Sequence, residues 1–130
     1  MTSTETAYDE SCLFCRIVAG QIPATAVRDN ADFLAFRDIS PQAPTHVLVI
    51  PKAHGYRDVG ELAAKNPELA GRLLAEGAEV ARQEGLPDLA DLPGYRLVFN
   101  TDAAAGQTVY HVHLHVLGGA ALGHFGSAER

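Results

Sequence analysis

The stretch "VYHVHLHVL", residues 109–117, alternates histidine with aliphatic residues and so limits what the chain can become. Because successive side chains of a β-strand point to opposite faces, His111, His113 and His115 would share one face and the intervening aliphatic residues the other. Neighbouring histidines would then lie about 6.6–7 Å apart along the strand. The pattern predicts a strand with an apolar core on one side and a row of imidazoles on the other.

The other elements are predicted from apolar spacing and from capping and turn residues. The main helix is expected from Pro67 to Gly85, with Asn66 as its N-cap. A short N-terminal helix is expected within 11–20, capped by Ser11 and ended by Gly20. Residues 58–66 predict one further helical turn. The predicted strands are a hairpin of 26–30 and 32–38, followed by 46–51, 95–100 and 109–117.

These elements predict an α+β domain, in which one main helix packs on an antiparallel sheet of about five strands. A length of 130 residues suits one domain. We expect a flexible leader at 1–10, the folded domain at 11–119 and a C-terminal tail at 120–130.

Charge and hydropathy exclude several classes of partner. The formal net charge of −6 argues against binding along a nucleic-acid backbone, which needs clustered Lys and Arg. No stretch approaches the roughly 20 apolar residues of a membrane span. The polar N-terminus "MTSTETAYDE" lacks the features of a signal peptide, so a cytoplasmic location is expected. A small phosphate site stays possible, because a few backbone N–H groups and histidines can hold one phosphate.

The histidine row allows three interpretations: a solvated sheet face, a metal site, or phosphate chemistry in which one imidazole is the nucleophile and a neighbour donates to a phosphate oxygen. The preceding segment "NTDAAAGQT", 100–108, favours phosphate. Its small residues let the backbone approach a ligand closely, and consecutive N–H groups can cradle an anion. Gln107 and Thr108 add neutral donors, whereas the nearest carboxylate for a metal is Asp102.

Three blocks of the chain resemble one family. "HVHLHVL" matches the signature of the histidine triad family, in which each of three histidines precedes an apolar residue. "DISPQAPTHVLVIPKAH", 38–54, and "AGQTVYHVHLHVLGG", 105–119, resemble its nucleotide-binding branch, the protein kinase C inhibitor-like proteins. "CLFCRIVAGQIPA", 12–24, is similar to their N-terminal helix. The resemblance implies a five-stranded antiparallel sheet that continues across a homodimer.

The resemblance also implies an activity: binding of purine nucleoside monophosphates and hydrolysis of nucleoside phosphoramidates. His113 would be the nucleophile and would form a nucleotidyl–histidine intermediate that water cleaves. His115 would donate to a non-bridging phosphate oxygen. Thr108, where relatives often have Ser, would bond near the leaving group, and His46 would complete the cluster and help set tautomers. No metal would be needed for this chemistry.

The nucleotide contacts implied by the resemblance come from several segments. Asp38 would bond the ribose hydroxyls, although it could instead be a turn residue. Asn100 would lie near the phosphate or cap a strand end. Gly106 and Gln107 would supply the close backbone, and an apolar base slot, or else plain core, would use Phe14, Ile17 and Phe36.

A cysteine pair, Cys12 and Cys15, stands i, i+3 on the predicted N-terminal helix. Some bacterial members of the branch hold a zinc by two cysteines and two histidines, and His54 and His111 complete that pattern here. The zinc would be structural. The alternatives are two buried thiols beside a structural His111, or a redox pair.

Competing functions stay open at this level. The chain could be a noncatalytic purine nucleotide-binding regulator, a dinucleoside polyphosphate hydrolase of the same superfamily, or a metalloenzyme whose metal is held by His111, His113 and His115. His124, in the variable tail "AALGHFGSAER", is expected to be exposed. Because this tail departs from those of some relatives, the substrate preference is open.

Overall fold

The computed structural model describes residues 8–124 and 126. The structure has five strands: β1 (Ala26–Asp29), β2 (Phe33–Arg37), β3 (Thr45–Pro51), β4 (Tyr95–Val98) and β5 (Leu114–Gly118). They form one antiparallel sheet in the order β1-β2-β3-β5-β4. The helices are α1 (Leu13–Val18), α2 (Val59–Lys65) and α3 (Pro67–Gln83), with short 3-10 turns at Leu86–Asp88 and Ala103–Ala105. The predicted α+β fold is confirmed.

Strand β3 contributes apolar side chains to both faces of the sheet. On one side Val47 and Val49 of β3 join the main core beneath α3, where Leu73 and Val80 are fully buried. On the other side Leu48 and Ile50 join a smaller cluster with Phe14 of α1. A central strand covered on both faces needs a continuous apolar run rather than an alternating one, which explains "HVLVIP".

The main helix begins as predicted, because the Asn66 side chain accepts from the Leu69 N–H and Pro67 follows at the first position. It lies close against β5 at Gly77, where an added Cβ would overlap the Leu114 side chain. The predicted turn at 58–66 is a complete helix, α2, capped by the Asp58 carboxylate.

The predicted cap of the N-terminal helix is wrong. Cys12 is the N-cap of α1, and its Sγ accepts from the Cys15 N–H at 3.4 Å. Ser11 is engaged elsewhere, because its N–H and hydroxyl both donate to Asp9 Oδ1, at 2.8 and 2.6 Å. The helix ends at Val18, and Gly20 follows with a positive φ of 78°.

The last strand is shorter than predicted, because regular pairing begins at Leu114 rather than at 109. The neighbouring strand ends at Pro51, which has no N–H for the ladder. The Val112 N–H donates instead to the Tyr56 carbonyl at 2.8 Å. The alternation nevertheless persists, since Val112 and Leu114 both enter the main core.

The other ends differ by a few residues, and β4 stops at Val98 rather than at 100. Residues 1–7, 125 and 127–130 lie outside the described residues, so the leader and tail boundaries remain predictions. Within the described ranges, no helix combines the length and hydropathy needed to cross a bilayer.

Candidate functional site

His113 presents a free ring nitrogen. Its Nδ1 lies 2.8 Å from the main-chain carbonyl oxygen of His111. A carbonyl only accepts, so Nδ1 carries the proton and Nε2 keeps its lone pair. Burial lowers the pKa of His113 below its ordinary value, which keeps the ring neutral near pH 7. The chemistry available is that of a neutral imidazole with an unprotonated nitrogen.

His115 has the opposite tautomer, set by a chain of hydrogen bonds. The Gln42 N–H donates to His46 Nδ1 at 3.0 Å, so the His46 proton is on Nε2. That nitrogen lies 2.9 Å from His115 Nδ1 and donates to it. The His115 proton is therefore on Nε2, beside the side-chain amide of Asn100, whose oxygen must face that proton because the amide nitrogen can only donate. Burial lowers the pKa of His46, and lowers the pKa of His115 to about 4.

Asp38 closes the other end of this chain. Its Oδ2 lies 3.4 Å from His46 Nε2, and its Oδ1 accepts from the Ser40 N–H at 2.8 Å. The second bond is a turn contact, so Asp38 shapes the turn after β2. It also lines the cavity beside the histidines, where its predicted bond to the ribose hydroxyls stays a prediction.

A cavity of about 370 Å³ opens between α1, the turn after β2 and the loop before β5. Its apolar wall contains the three residues predicted for a base slot, Phe14, Ile17 and Phe36. It also contains three residues that the sequence did not indicate, Leu13, Ile22 and Ile39. Ile39 is 97% exposed. Phe14 and Phe36 also belong to the smaller apolar cluster, so they are core and wall at once. The polar rim is Asp38, Asn100, Gly106, Thr108, His113 and His115.

The loop before β5 is braced from within. Gln107 is buried, and its Oε1 accepts from the Asp102 N–H at 2.8 Å. Its Nε2 donates to the carbonyls of Arg57 and Val109, at 2.7 and 3.1 Å. The Gln107 side chain is thus committed within the protein, and only its backbone is left for a ligand.

Asp102 is a second feature of this loop that the sequence did not indicate. It has φ 66°, the only positive φ at a non-glycine among the described residues. Its Oδ1 accepts from the Ala103 N–H at 2.8 Å and from the Tyr110 hydroxyl at 3.1 Å. These bonds hold a backbone conformation that disfavours most side chains.

The four residues of the predicted zinc set meet in space. Cys12 Sγ is 3.4 Å and Cys15 Sγ 3.9 Å from His111 Nδ1, and Cys15 Sγ is 3.2 Å from His54 Nδ1. Zinc bonds of about 2.3 Å to sulfur and 2.0–2.1 Å to nitrogen, in a tetrahedron, put ligand atoms about 3.3–3.8 Å apart. The distances therefore fit a zinc-sized ion.

The imidazoles of this cluster are oriented for a cation. His111 Nε2 donates to the Pro51 carbonyl at 2.8 Å, and His54 Nε2 lies 3.3 Å from Asp9 Oδ2, so both Nδ1 atoms face the thiols with lone pairs. Burial lowers the pKa of His111 to about 4 and raises the pKa of Cys15 to about 11. A divalent cation would stabilise the negatively charged thiolates, which burial otherwise disfavours.

His111 does not join the other two histidines of the row. Both of its nitrogens are engaged, one with the thiols and one with Pro51. The described residues offer one other possible metal group, Asp38, His46 and His115, and two of these are hydrogen-bonded to each other. Neither group combines His111 with His113 and His115, which disfavours the three-histidine metalloenzyme.

Comparison with known proteins gives a consistent set of relatives. The family profile described as HIT domain matches residues 19–122. Over 114 residues the chain is 42% identical to the purine nucleoside phosphoramidase of Escherichia coli K12, covering 88% of this chain and 92% of that protein. It is 44% identical over 112 residues to a 14 kDa zinc-binding protein of Zea mays, covering 85% and 84%. A HIT family hydrolase from Clostridium thermocellum superposes with a TM-score of 0.79 at 38% identity, covering 88% and 96%.

Proposed function

This chain belongs to the HIT domain family, and we propose that it hydrolyses purine nucleoside 5′-phosphoramidates through a nucleotidyl–histidine intermediate. The observation that carries the proposal is the pair of opposite tautomers at the cavity rim. His113 has a free Nε2, and His115 has an Nε2–H. A nucleophile beside a donor is the arrangement that displacement at phosphorus requires. The phosphoramidase activity named for the Escherichia coli relative supports the same substrate class.

The reaction proceeds in two displacements. The lone pair of His113 Nε2 attacks the α-phosphorus, the bond from phosphorus to the amine nitrogen breaks, and the amine leaves after gaining a proton from solvent water. The Thr108 hydroxyl, on the rim of the same cavity, hydrogen-bonds near the leaving nitrogen. Water then attacks phosphorus and loses a proton to solvent, the bond to His113 Nε2 breaks with its electron pair returning to the ring, and the nucleoside monophosphate is released. His115 donates to a non-bridging oxygen, where charge builds in both transition states.

The nucleoside would lie along the cavity wall. The Asp38 carboxylate accepts from the ribose hydroxyls, and the base enters the apolar slot of Phe14, Ile17 and Phe36. The backbone at Gly106 and Gln107, with Asn100, surrounds the phosphate. A cavity of about 370 Å³ is of the size that ordinary small-molecule sites have, which supports a nucleotide rather than a macromolecular ligand.

The test is to incubate the protein with an adenosine phosphoramidate and to measure the AMP that is released. His113→Ala is expected to lower kcat by about 10³-fold or more, because the nucleophile is removed. His124→Ala, a change in an exposed tail residue, is the matched control and should turn over like the wild type. Wild-type turnover by His113→Ala would refute the assignment of the nucleophile.

Two alternatives predict different outcomes in the same assay. A noncatalytic regulator would bind AMP by calorimetry and release no amine. A dinucleoside polyphosphate hydrolase would prefer diadenosine polyphosphate to the phosphoramidate.

We also propose a structural zinc held by Cys12, Cys15, His54 and His111. The fit of the distances and the maize relative's name, a zinc-binding protein, support it. The ion would tie α1 to the sheet; it takes no part in the displacement. Metal analysis should find one zinc per chain in the wild type and none in Cys12→Ser.

The assembly and location are proposals as well. Within the described residues β1 and β4 are the two edge strands of the sheet, and an edge strand can pair with a second copy of the chain. We propose a homodimer that extends the sheet there. Two free cysteines are typical of a reducing compartment, so we propose that the protein is cytoplasmic. We propose nucleotides, rather than membranes or nucleic acids, as its partners.

A further inference from the structure

His111 contacts both the cysteine–histidine cluster and the proposed nucleophile, His113. Its side chain faces the thiol of Cys12 at 3.4 Å, and its main-chain carbonyl accepts from His113 Nδ1 at 2.8 Å. Its Nε2–H is held by the Pro51 carbonyl at 2.8 Å. His111 therefore joins the thiol cluster to the proposed nucleophile, with its side chain in one site and its main-chain carbonyl in the other.

Phe14 makes a second connection. It stands between the two cysteines in sequence, on the short helix whose N-cap is Cys12. Its ring meets His111 edge-on with centroids 5.9 Å apart, and His113 edge-on at 5.0 Å. It also forms part of the cavity wall. The helix that the thiols anchor thus carries a side chain that touches the nucleophile and the proposed base slot.

We infer that a metal ion in the cluster of Cys12, Cys15, His54 and His111 and a nucleotide in the cavity bind with positive coupling. The ion fixes His111 and Phe14, against which His113 is held, so the nucleotide meets a wall that is already ordered. The two cysteines and His54 are then positioning residues for His113, beyond their contribution to stability. The inference rests on the proposed function for its nucleotide, and on the cluster's donor set for its metal.

The experiment uses reciprocity. If Zn²⁺ raises the affinity for AMP by some factor, AMP must raise the affinity for Zn²⁺ by the same factor. AMP binding is measured by calorimetry with and without Zn²⁺, and Zn²⁺ binding by competition with a chelator, with and without AMP. We expect equal factors of about 5-fold or more. The ¹⁵N shifts of the His113 ring, which report its tautomer, are expected to move when Zn²⁺ is withdrawn.

Two matched variants test whether the coupling passes through Phe14. Phe14→Leu keeps an apolar side chain but removes the ring edge that contacts both histidines. The factor by which Zn²⁺ raises the affinity for AMP should therefore fall towards one. Phe36→Leu is the matched control, since Phe36 lines the same cavity and contacts the Phe14 ring at 5.6 Å. It should weaken AMP binding and keep the coupling factor. If the metal-free protein unfolds, the loaded protein is used, and AMP should raise the chelator concentration that removes half of the Zn²⁺ at equilibrium about 5-fold more in the wild type than in Phe14→Leu.

Each outcome decides between the two proposals. Equal AMP affinity with and without Zn²⁺ overturns the coupling, even where the phosphoramidate is hydrolysed normally. Failure of Zn²⁺ to bind the cluster overturns it too. Failure of AMP to bind in either state contradicts the proposed function first, and the coupling with it.

Discussion

His115 shows how burial of a single residue sets both reactivity and stability. Burial lowers the pKa of His115 to about 4, with His113 and His46 adding to the effect and Asp38 opposing it. In the unfolded chain a histidine titrates at about 6.5. Between these values the unfolded chain holds the extra proton, so stability is present in full above pH of about 6.5 and is lost as pH falls towards 4.

His115→Asn should remove this contribution. We expect the wild type to lose more unfolding free energy than the variant between pH 7 and pH 5, at up to about 1.4 kcal/mol per pH unit. Urea unfolding at the two pH values measures the difference, with His124→Asn as a control in an exposed side chain. Equal losses in His115→Asn and the wild type would show that His115 is not held neutral by the fold.

Gln107 is the residue whose loss should disturb the phosphate loop most. Gln107→Leu leaves the Asp102 N–H and the carbonyls of Arg57 and Val109 without this partner, at about 1–3 kcal/mol for each group that stays buried. We expect destabilisation of about 2 kcal/mol or more in urea, together with a raised KM for the phosphoramidate. Gln83→Leu removes an exposed bond to the Val27 carbonyl and is the control, at less than about 1 kcal/mol.

At the scale of elements, α3 contains two glycines with opposite roles. Gly71 has open space around the position of a Cβ, so Gly71→Ala should stabilise the protein by up to about 1 kcal/mol through helix propensity. Gly77→Ala should destabilise it, because the methyl group overlaps Leu114 of β5. Urea unfolding of the two variants checks the signs, and stabilisation by both would contradict the close approach of helix and sheet.

The sequence predicted those elements whose signals are local. Asn66 and Pro67 predict the start of α3 because a cap and a first-turn proline act within one turn. The alternation in 111–116 predicts which side chains enter the core. It could not predict where β5 begins, because that depends on Pro51 of the neighbouring strand. Nor could it predict that the Ser11 hydroxyl donates to Asp9, so that Cys12 rather than Ser11 is the N-cap of α1.

On the scale of the whole molecule, the candidate site is assembled from segments far apart in sequence. The motif and its resemblance indicated the histidines, but the tautomer of His115 depends on the Gln42 N–H through His46. Ile39 carries no periodic signal, since it is an exposed residue in a turn. The bracing of Asp102 likewise needs Tyr110 and Gln107 in three dimensions.

The homodimer is a prediction about the whole assembly. The edge strand β4 should pair with its symmetry mate, because an edge strand is a template for another strand. Light scattering after size-exclusion chromatography should give twice the mass of one chain. A mass of one chain at micromolar concentration would contradict the extended sheet.

In the proposed mechanism His113 carries the nucleotide during turnover. An adenosine phosphoramidate is mixed with the protein, quenched rapidly in denaturant under alkaline conditions that preserve phosphorus–nitrogen bonds, and the peptides are mapped by mass spectrometry. We predict a transient adenylyl group on the peptide at His113, formed as the amine is released and lost as AMP appears. Amine release with no adenylylated peptide, or with the adenylyl group on another residue, would contradict the account.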